Sequence, residues 1–517
     1  MRYKILPLLL CIAMVLSWIP GTTAAGANTP EQTAPDSSAQ QPQQEAVLLS
    51  TKRSITAHEG FSDISIIYDD VLTKSISTKQ TASVTLENDQ GIGSMYFIYQ
   101  LPYTSGYTVT DNATGESFIA GKNGFLHEYL DLVAAFGQAP TSVTVSYTQG
   151  KAHICELMLY SAGQVPETVQ IWKPPAENKT DLLLFSTHGD DEQLFFAGIL
   201  PYYAKAKGYN VQVVYLTDHR NITNVRTHEM LNGLWAVGCD VYPVFGTFPD
   251  FLEDTLKQTY AEFKTYGVTR DDILEFSTEA IRRFKPKVVI AHDFDGEYAH
   301  GQHMVYADCV AEALEISSDP EKWPGSAEEY GTWDVPKAYF HLYDENPIVM
   351  DWDTPMEELD GMSPFLVTQK LGFPCHESQQ WTWFFNWING KPNARISRAD
   401  EIATYSPCEF GLYRSTVGQD VAKNDFFENV TTYAQDHELW LQQNPPETTP
   451  PETTPAETTP TPTTSPEATA NPQPSQPQSP VGPQNNGNDG TLLIIWLAIL
   501  AVLVVMFVIL LILRFKK

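Results

Sequence analysis

The sequence predicts an α/β protein, a mostly parallel sheet with helices on both faces, preceded by an all-β sandwich. Three observations carry this. Between about Leu48 and Pro174, apolar and polar residues alternate with period two, as in Met95-Tyr96-Phe97-Ile98-Tyr99, Val143-Thr144-Val145-Ser146-Tyr147 and Val169-Gln170-Ile171. Turns such as Asp111-Asn112 and Lys122-Asn123-Gly124 separate these runs, and many short strands with turn signals mean a sandwich. At Trp172-Lys173-Pro174-Pro175 the pattern changes, and from there short apolar runs alternate with helical periodicity, the mark of a parallel sheet. Finally, two of those apolar runs break into loops rich in His and Asp, and in open α/β sheets such loops bind ligands.

The elements follow in order. Residues 182–187 form the first strand of the sheet, and 192–207 a helix with Gly208 as its C-cap. Residues 211–216 are the second strand, 225–237 a helix ending at Gly238, and 241–244 a short strand. An amphipathic helix spans 270–284 and stops before Pro286, which cannot continue it. A strand at 288–291 leads into a helix over 300–314. The segment Gln380-Trp381-Thr382-Trp383-Phe384-Phe385-Asn386-Trp387 is expected in the core, since aromatics dominate interiors, with a sugar platform as the alternative.

The 517 residues are too many for one ordinary core. A net charge of −31 without a basic stretch excludes a nucleic-acid partner, because phosphate binding needs a basic surface. Arg2 and Lys4 precede an apolar run and Thr22-Thr23-Ala24-Ala25 offers a cleavage site, so residues 1–25 read as a secretory signal peptide. A disordered leader follows at 26–47, then the sandwich at 48–174 and the α/β domain at 175–443. Residues 444–490 repeat Pro-Glu-Thr-Thr-Pro and cannot pack a core, so they read as a stiff stalk. Residues 491–513 carry no charge and are long enough to span a bilayer as a single helix. The basic tail at 514–517, with Arg514, Lys516 and Lys517, is then cytoplasmic, and the catalytic domain lies outside the cell membrane. Once Cys11 leaves with the signal, five cysteines remain, without paired spacing; Cys375 with Cys408 is the one disulfide to expect.

The chemistry sits in His188-Gly189-Asp190-Asp191-Glu192, after the first strand of the sheet, and in His300 and His303, after the strand at 288–291. Two His and one Asp make a shell suited to Zn²⁺ with an open position, where a bound water would lose its proton near neutral pH. A carboxylate that does not ligate can take that proton. Alone, Asp190-Asp191-Glu192 would read as an acidic helix start, and His300 with His303 as packed histidines. Together, each set after a parallel-type strand, they point to a metal site.

These residues make the segment from about 181 to 379 resemble the PIG-L/LmbE-like zinc deacetylase family. That family carries His-Pro-Asp-Asp-Glu after a strand, matched by His188, Asp190, Asp191 and Glu192, and His-x-x-His opening a helix, matched by His300 and His303. Arg226-Thr227-His228-Glu229 matches its Arg-x-x-Glu, and His376-Glu377-Ser378-Gln379 its His-x-Ser-Gln. The resemblance implies a Rossmann-like fold that removes N-acetyl groups from N-acetylglucosaminyl conjugates. It implies that His188, Asp191 and His303 bind zinc, that Asp190 is the general base and that His300 is an acid or oxyanion stabiliser. Arg226 would lie near the substrate, and His376 would line the site. Gly189 departs from the pattern, standing where the family has Pro; glycine leaves the turn more mobile in the unfolded chain. The stretch at 48–174 resembles the discoidin-like, galactose-binding-like jelly rolls, through Gly124-Phe125-Leu126-His127-Glu128-Tyr129-Leu130-Asp131-Leu132 and Glu156-Leu157-Met158-Leu159-Tyr160-Ser161-Ala162-Gly163. The expected partner is an amino-sugar glycan or glycoconjugate substrate. The alternatives are a carbohydrate-binding surface protein with weak or no catalysis and a zinc amidase on a non-sugar N-acyl substrate.

Overall fold

A computed structural model describes residues 44–217 and 224–444. The expected signal peptide, nearly all of the leader, the stalk beyond 444, the membrane span and the basic tail lie outside the described residues. The chain divides into Met1–Pro446 and Glu447–Lys517, and every described residue belongs to the first unit. Among the described residues no helix is long and apolar enough to cross a membrane.

Two antiparallel sheets come first. One has the order β1-β10-β5-β8, with β3 also paired to β10 (β1 Leu48–Leu49, β3 Ile76–Ser77, β5 Ser94–Tyr99, β8 His127–Asp131, β10 His153–Tyr160). The other has the order β2-β4-β9-β6-β7 (β2 Ile55–Glu59, β4 Ala82–Glu87, β6 Tyr107–Asp111, β7 Ser117–Ala120, β9 Ser142–Tyr147). Short helices α1 (Thr51–Ser54) and α2 (Leu132–Phe136) interrupt them. In the β4–β9 pair, where Val84 faces Val145, every second residue is buried, as period-two alternation requires. β5 instead buries all six of its residues. Met95, Phe97 and Tyr99 fill the space between the sheets, while Tyr96 and Ile98 cluster with Tyr160 and Val169 on the opposite face. The strand expected at Val169-Gln170-Ile171 does not form. Its polar side chain is used across the joint instead: the Gln170 amide donates to Asn232 Oδ1 at 2.6 Å and accepts from the Trp172 indole at 2.9 Å.

The seven-stranded sheet that follows has the order β13-β12-β11-β14-β15-β19-β16. Its strands are β11 (Leu182–Ser186), β12 (Val211–Thr217), β13 (Val244–Phe248), β14 (Val288–Ala291), β15 (Lys337–His341), β16 (Pro347–Val349) and β19 (Glu409–Ser415); a small hairpin, β17 (Gly390–Lys391) with β18 (Ala394–Arg395), lies apart. From β13 to β15 the strands run parallel, and β15, β19 and β16 pair antiparallel. β11 reads Leu-Leu-Leu-Phe-Ser without alternation because both faces are covered. Leu182 and Leu184 pack with Met230 and Leu234 of α3 (Asn224–Ala236). Leu183 and Phe185 pack on the other face with Phe263 of α4 (Leu256–Thr265), Ile281 of α5 (Arg270–Phe284) and Val305 of α6 (Gly301–Ile316). Each such buried side chain contributes about 1.5–3 kcal/mol of apolar transfer energy.

Three local expectations change. The helix expected over 192–207 is broken: Asp191–Gln193 makes one tight turn and Pro201–Ala206 a separate wide-turned segment. Gly198 sits at φ +94°, and the Trp352 ring lies 2.5 Å from where a Cβ would stand, so the chain bends there. The strand expected at 241–244 begins instead at Val244, since Pro243 has no N–H to donate to a ladder. All five described cysteines are free, so Cys375 and Cys408 form no disulfide; the Cys375 thiol turns to the Leu371 carbonyl at 3.2 Å, and Cys408 is buried.

Candidate active site

Successive connections run from β11 toward β12 and β13 on one side and from β14 toward β15 on the other. The carboxyl ends of β11 and β14 therefore flank a topological switch point, where the chain leaves a crevice. Both motifs emerge there. His188 and Asp191 follow β11, and His300 caps the N-terminus of α6, its Nδ1 accepting the Gln302 N–H at 3.2 Å, so that His303 stands on the first turn.

Three donor atoms converge. His188 Nδ1 lies 3.3 Å from Asp191 Oδ2 and 3.1 Å from His303 Nε2, and His303 Nε2 lies 3.4 Å from Asp191 Oδ2. Ligand atoms on a tetrahedral Zn²⁺ at 2.0–2.1 Å stand about 3.3 Å apart, so the triangle fits that ion. The far side of each ring is also held. His188 Nε2 donates to Gln302 Oε1 at 3.1 Å, and His303 Nδ1 donates to Glu297 Oε2 at 2.6 Å. This outer bonding fixes the tautomers and turns the free lone pairs inward, as metal-ligating histidines require. Burial by itself would lower the His303 pKa, but Asp191 and Glu297, one on each nitrogen, push it up to about 10. Against its own burial, Asp191 is held well below the ordinary carboxylate range by His303 and His188. The pocket therefore favours positive charge at His303 Nε2, a proton there or a cation in its place.

Glu297 anchors the surroundings. Fully buried, it bonds His292 at 2.9 Å, His303 at 2.6 Å and His341, at the end of β15, at 2.6 Å. His188, His300 and His303 also come close enough to hold an ion, and with His292 and Asp191 3.5 Å apart so do His292, Asp191 and His303. The Thr187 N–H already occupies His292 Nε2 at 3.0 Å, which leaves His292 a supporting role. His300 stacks on His303 with ring centres 4.7 Å apart and planes at 10°. Burial first, then the neighbouring His188 and His303, hold its pKa far below the ordinary value, so the ring is neutral. With Nδ1 accepting, its proton sits on Nε2.

Asp190 pairs with Arg226, whose Nη2 lies 3.3 Å from Asp190 Oδ2. Arg226 also donates to Ser378 Oγ at 3.1 Å, and Ser378 donates twice to Glu229, at 2.8 and 2.6 Å. The Arg226–Glu229 and His376–Gln379 motifs thus meet as one network behind Asp190. His376 is fully buried, its Nε2 3.3 Å from Glu192 Oε1 without hydrogen-bond alignment. Gly233 admits it: a Cβ there would stand 2.7 Å from that nitrogen.

All seven residues singled out in the sequence lie around this crevice. Sequence reading missed Glu297, His292, His341 and Tyr298. Glu297 and His292 stand inside the second motif loop, and only their partners reveal them. Tyr298 and Ala299 adopt φ +49° and +59°, a left-handed bend that is costly for such residues and signals a constrained loop. The Tyr298 ring packs 5.3 Å from His300 and 5.4 Å from Trp383.

Residues 183–314 match the family model described as PIG-L, GlcNAc-PI de-N-acetylase. The chain is 24% identical over 211 residues to 1D-myo-inositol 2-acetamido-2-deoxy-alpha-D-glucopyranoside deacetylase 1 of Catenulispora acidiphila, covering 37% of this chain and 64% of that protein. The chain therefore spans a little under two thirds of that relative's length. Among solved structures it is similar to the 4-carboxy-2-hydroxymuconate hydratase GalB of Pseudomonas putida KT2440, at 17% identity, 47% of this chain, 99% of that chain and a TM-score of 0.30. It is also similar to N,N'-diacetylchitobiose deacetylase of Pyrococcus horikoshii, at 15% identity, 46% of this chain, 84% of that chain and a TM-score of 0.30.

Proposed function

We propose that this protein is a zinc-dependent N-deacetylase acting on N-acetylglucosamine-type glycans or glycoconjugates. The observation that carries the reading is the triangle of His188, Asp191 and His303 donor atoms, 3.1 to 3.4 Å apart, with the neighbouring Asp190 held by Arg226. The family match over residues 183–314 supports it.

His188, Asp191 and His303 would hold the ion, which when bound supplies a Lewis acid that lowers the pKa of a water and polarises a carbonyl. Asp190, tethered through one oxygen by Arg226, accepts the proton of the attacking water. His300 is neutral and donates Nε2–H to the carbonyl oxygen as negative charge develops there. As the C–N bond breaks, the proton held on Asp190 passes to the leaving nitrogen, giving acetate and the free amine. The network of Arg226, Ser378 and Glu229 orients Asp190 throughout.

The placement we propose rests on sequence. A signal at 1–25 and a span at 491–513 put the α/β domain of 175–443 outside the cell membrane, held off by the stalk. The two antiparallel sheets are read as a galactose-binding-like module at 48–174. The test is elemental analysis of the full-length protein with an acetate-release assay on N-acetylglucosamine oligomers. One zinc per chain, with acetate release abolished in His303→Ala, is the expected result; no metal after zinc reconstitution would sink the catalytic reading.

A further inference from the structure

The aromatic run expected in the core is only partly there. Ile388 is fully buried and Phe384 and Trp387 are partly covered, but Trp381 is 82% exposed and Trp383 46% exposed. Two exposed indoles two residues apart, one of them packed on Tyr298, offer a surface for recognition rather than for core packing.

Their place in the fold is specific. The segment carrying them is tied to residues of both motif loops. At its start, His376 faces Glu192 at 3.3 Å, and Ser378 accepts from Arg226 at 3.1 Å, the same arginine that holds Asp190. At its end, the Trp383 ring lies 5.4 Å from Tyr298, which packs 5.3 Å from His300. Between these anchors the strap is stapled to itself and its flank: the Gln380 amide donates to the Phe373 and His376 carbonyls, and the Thr382 hydroxyl to the Gln379 carbonyl. The rings are therefore held by a preorganised backbone, which lowers the ordering cost of binding.

We propose that Trp383 and Trp381 form an aromatic subsite that stacks the sugar ring adjoining the one to be deacetylated, so that the substrate is a neutral N-acetylglucosamine oligosaccharide rather than a single-sugar conjugate. This rests on the deacetylase reading. A pyranose presents an apolar C–H face on a polar rim, which suits an indole beside amide and hydroxyl groups. Charge favours a neutral sugar. Residues 376–390 contain no Lys or Arg and include Glu377, Arg226 against Ser378 is already paired with Asp190 and Glu229, and the whole chain carries −31, so the strap favours a neutral ligand over an anionic polymer.

The experiment compares full-length, zinc-loaded wild type with Trp383→Ala, Trp381→Ala and Trp383→Phe. Acetate release is followed on N-acetylglucosamine monomer and tetramer, and tetramer binding by calorimetry. Wild type should prefer the tetramer by kcat/KM. Trp383→Ala should raise the tetramer KM about tenfold while changing kcat less, so that the preference for tetramer over monomer collapses. Trp381→Ala should do so more weakly, and Trp383→Phe should restore most of the preference, which a merely structural defect would not allow. A tetramer-to-monomer ratio unchanged in both alanine variants overturns the subsite. If wild type released no acetate from any amino sugar, the reaction would fall. Tetramer binding weakened by Trp383→Ala would then still support the subsite, and binding unaffected by it would overturn that as well.

Discussion

At the scale of single residues, the glycine inside the first motif has a neighbour that explains it. A Cβ on Gly189 would stand 2.1 Å from both Cγ and Sδ of Met230, a fully buried residue of α3. The proline of the resembling family therefore does not fit this chain without moving Met230. Gly189→Pro should destabilise the protein by about 1–3 kcal/mol, the usual cost of overpacking. Thermal unfolding of Gly189→Pro alone and with Met230→Ala checks this, since the second change should recover part of the loss through coupling; simple additivity would refute the contact. Asp190 is separable from the proposed ligands because its Oδ2 pairs with Arg226. Asp190→Asn should keep zinc, by elemental analysis, and lose turnover by a factor on the order of 10² or more, the range for a general base. Unchanged turnover would remove Asp190 from that role.

At the scale of elements, α3 does two things at once. Its first turns carry Arg226 and Glu229 into the site, and the same turns dock against β8. His127 Nε2 lies 2.7 Å from His228 Nδ1, and His127 Nδ1 lies 2.6 Å from the Tyr96 hydroxyl. Nearby, the Leu126 N–H donates to the Tyr242 hydroxyl at 3.0 Å, and Phe125 stacks on the Tyr242 ring. Burial lowers His228 to about 4 and His127 well below its ordinary value. An unfolded histidine titrates near 6.5, so between about 6.5 and 4 the unfolded chain binds more protons. The stability contributed by neutral His228 is therefore full above about pH 6.5 and is lost as pH falls toward 4, by up to about 3 kcal/mol. Unfolding midpoints of wild type and His228→Gln between pH 7.5 and 4.5 should diverge in slope, the variant being flatter; parallel curves would show that His228 is not responsible.

At the scale of the whole molecule, the proposed placement makes the segments beyond residue 444 a stalk and an anchor, and fractionation tests that proposal. Full-length protein should stay in the membrane pellet after alkaline carbonate extraction, and a chain ending at Asn444 should not. Full-length protein in the soluble fraction would remove the anchor.

Strand and helix periods made much of this legible in advance. β11, β12, β14 and α5 lie within a residue of where hydrophobic pattern puts them, because a strand buried on both faces must be apolar throughout and a capped amphipathic helix has definite ends. The His and Asp of the site were legible because they sit beside those strand ends. What the sequence by itself determined was therefore the order of elements and the chemistry available at each junction. Only tertiary structure decided which atoms meet: that Glu297 gathers His292, His303 and His341, that Met230 fills the place of a proline ring, and that Trp381 and Trp383 face outward rather than into the core. The reason is range. Periodicity and caps are set by neighbours along the chain, whereas tautomers, burial and ring contacts are set by residues far away in it, 115 positions for His188 and His303 and 152 for Arg226 and Ser378.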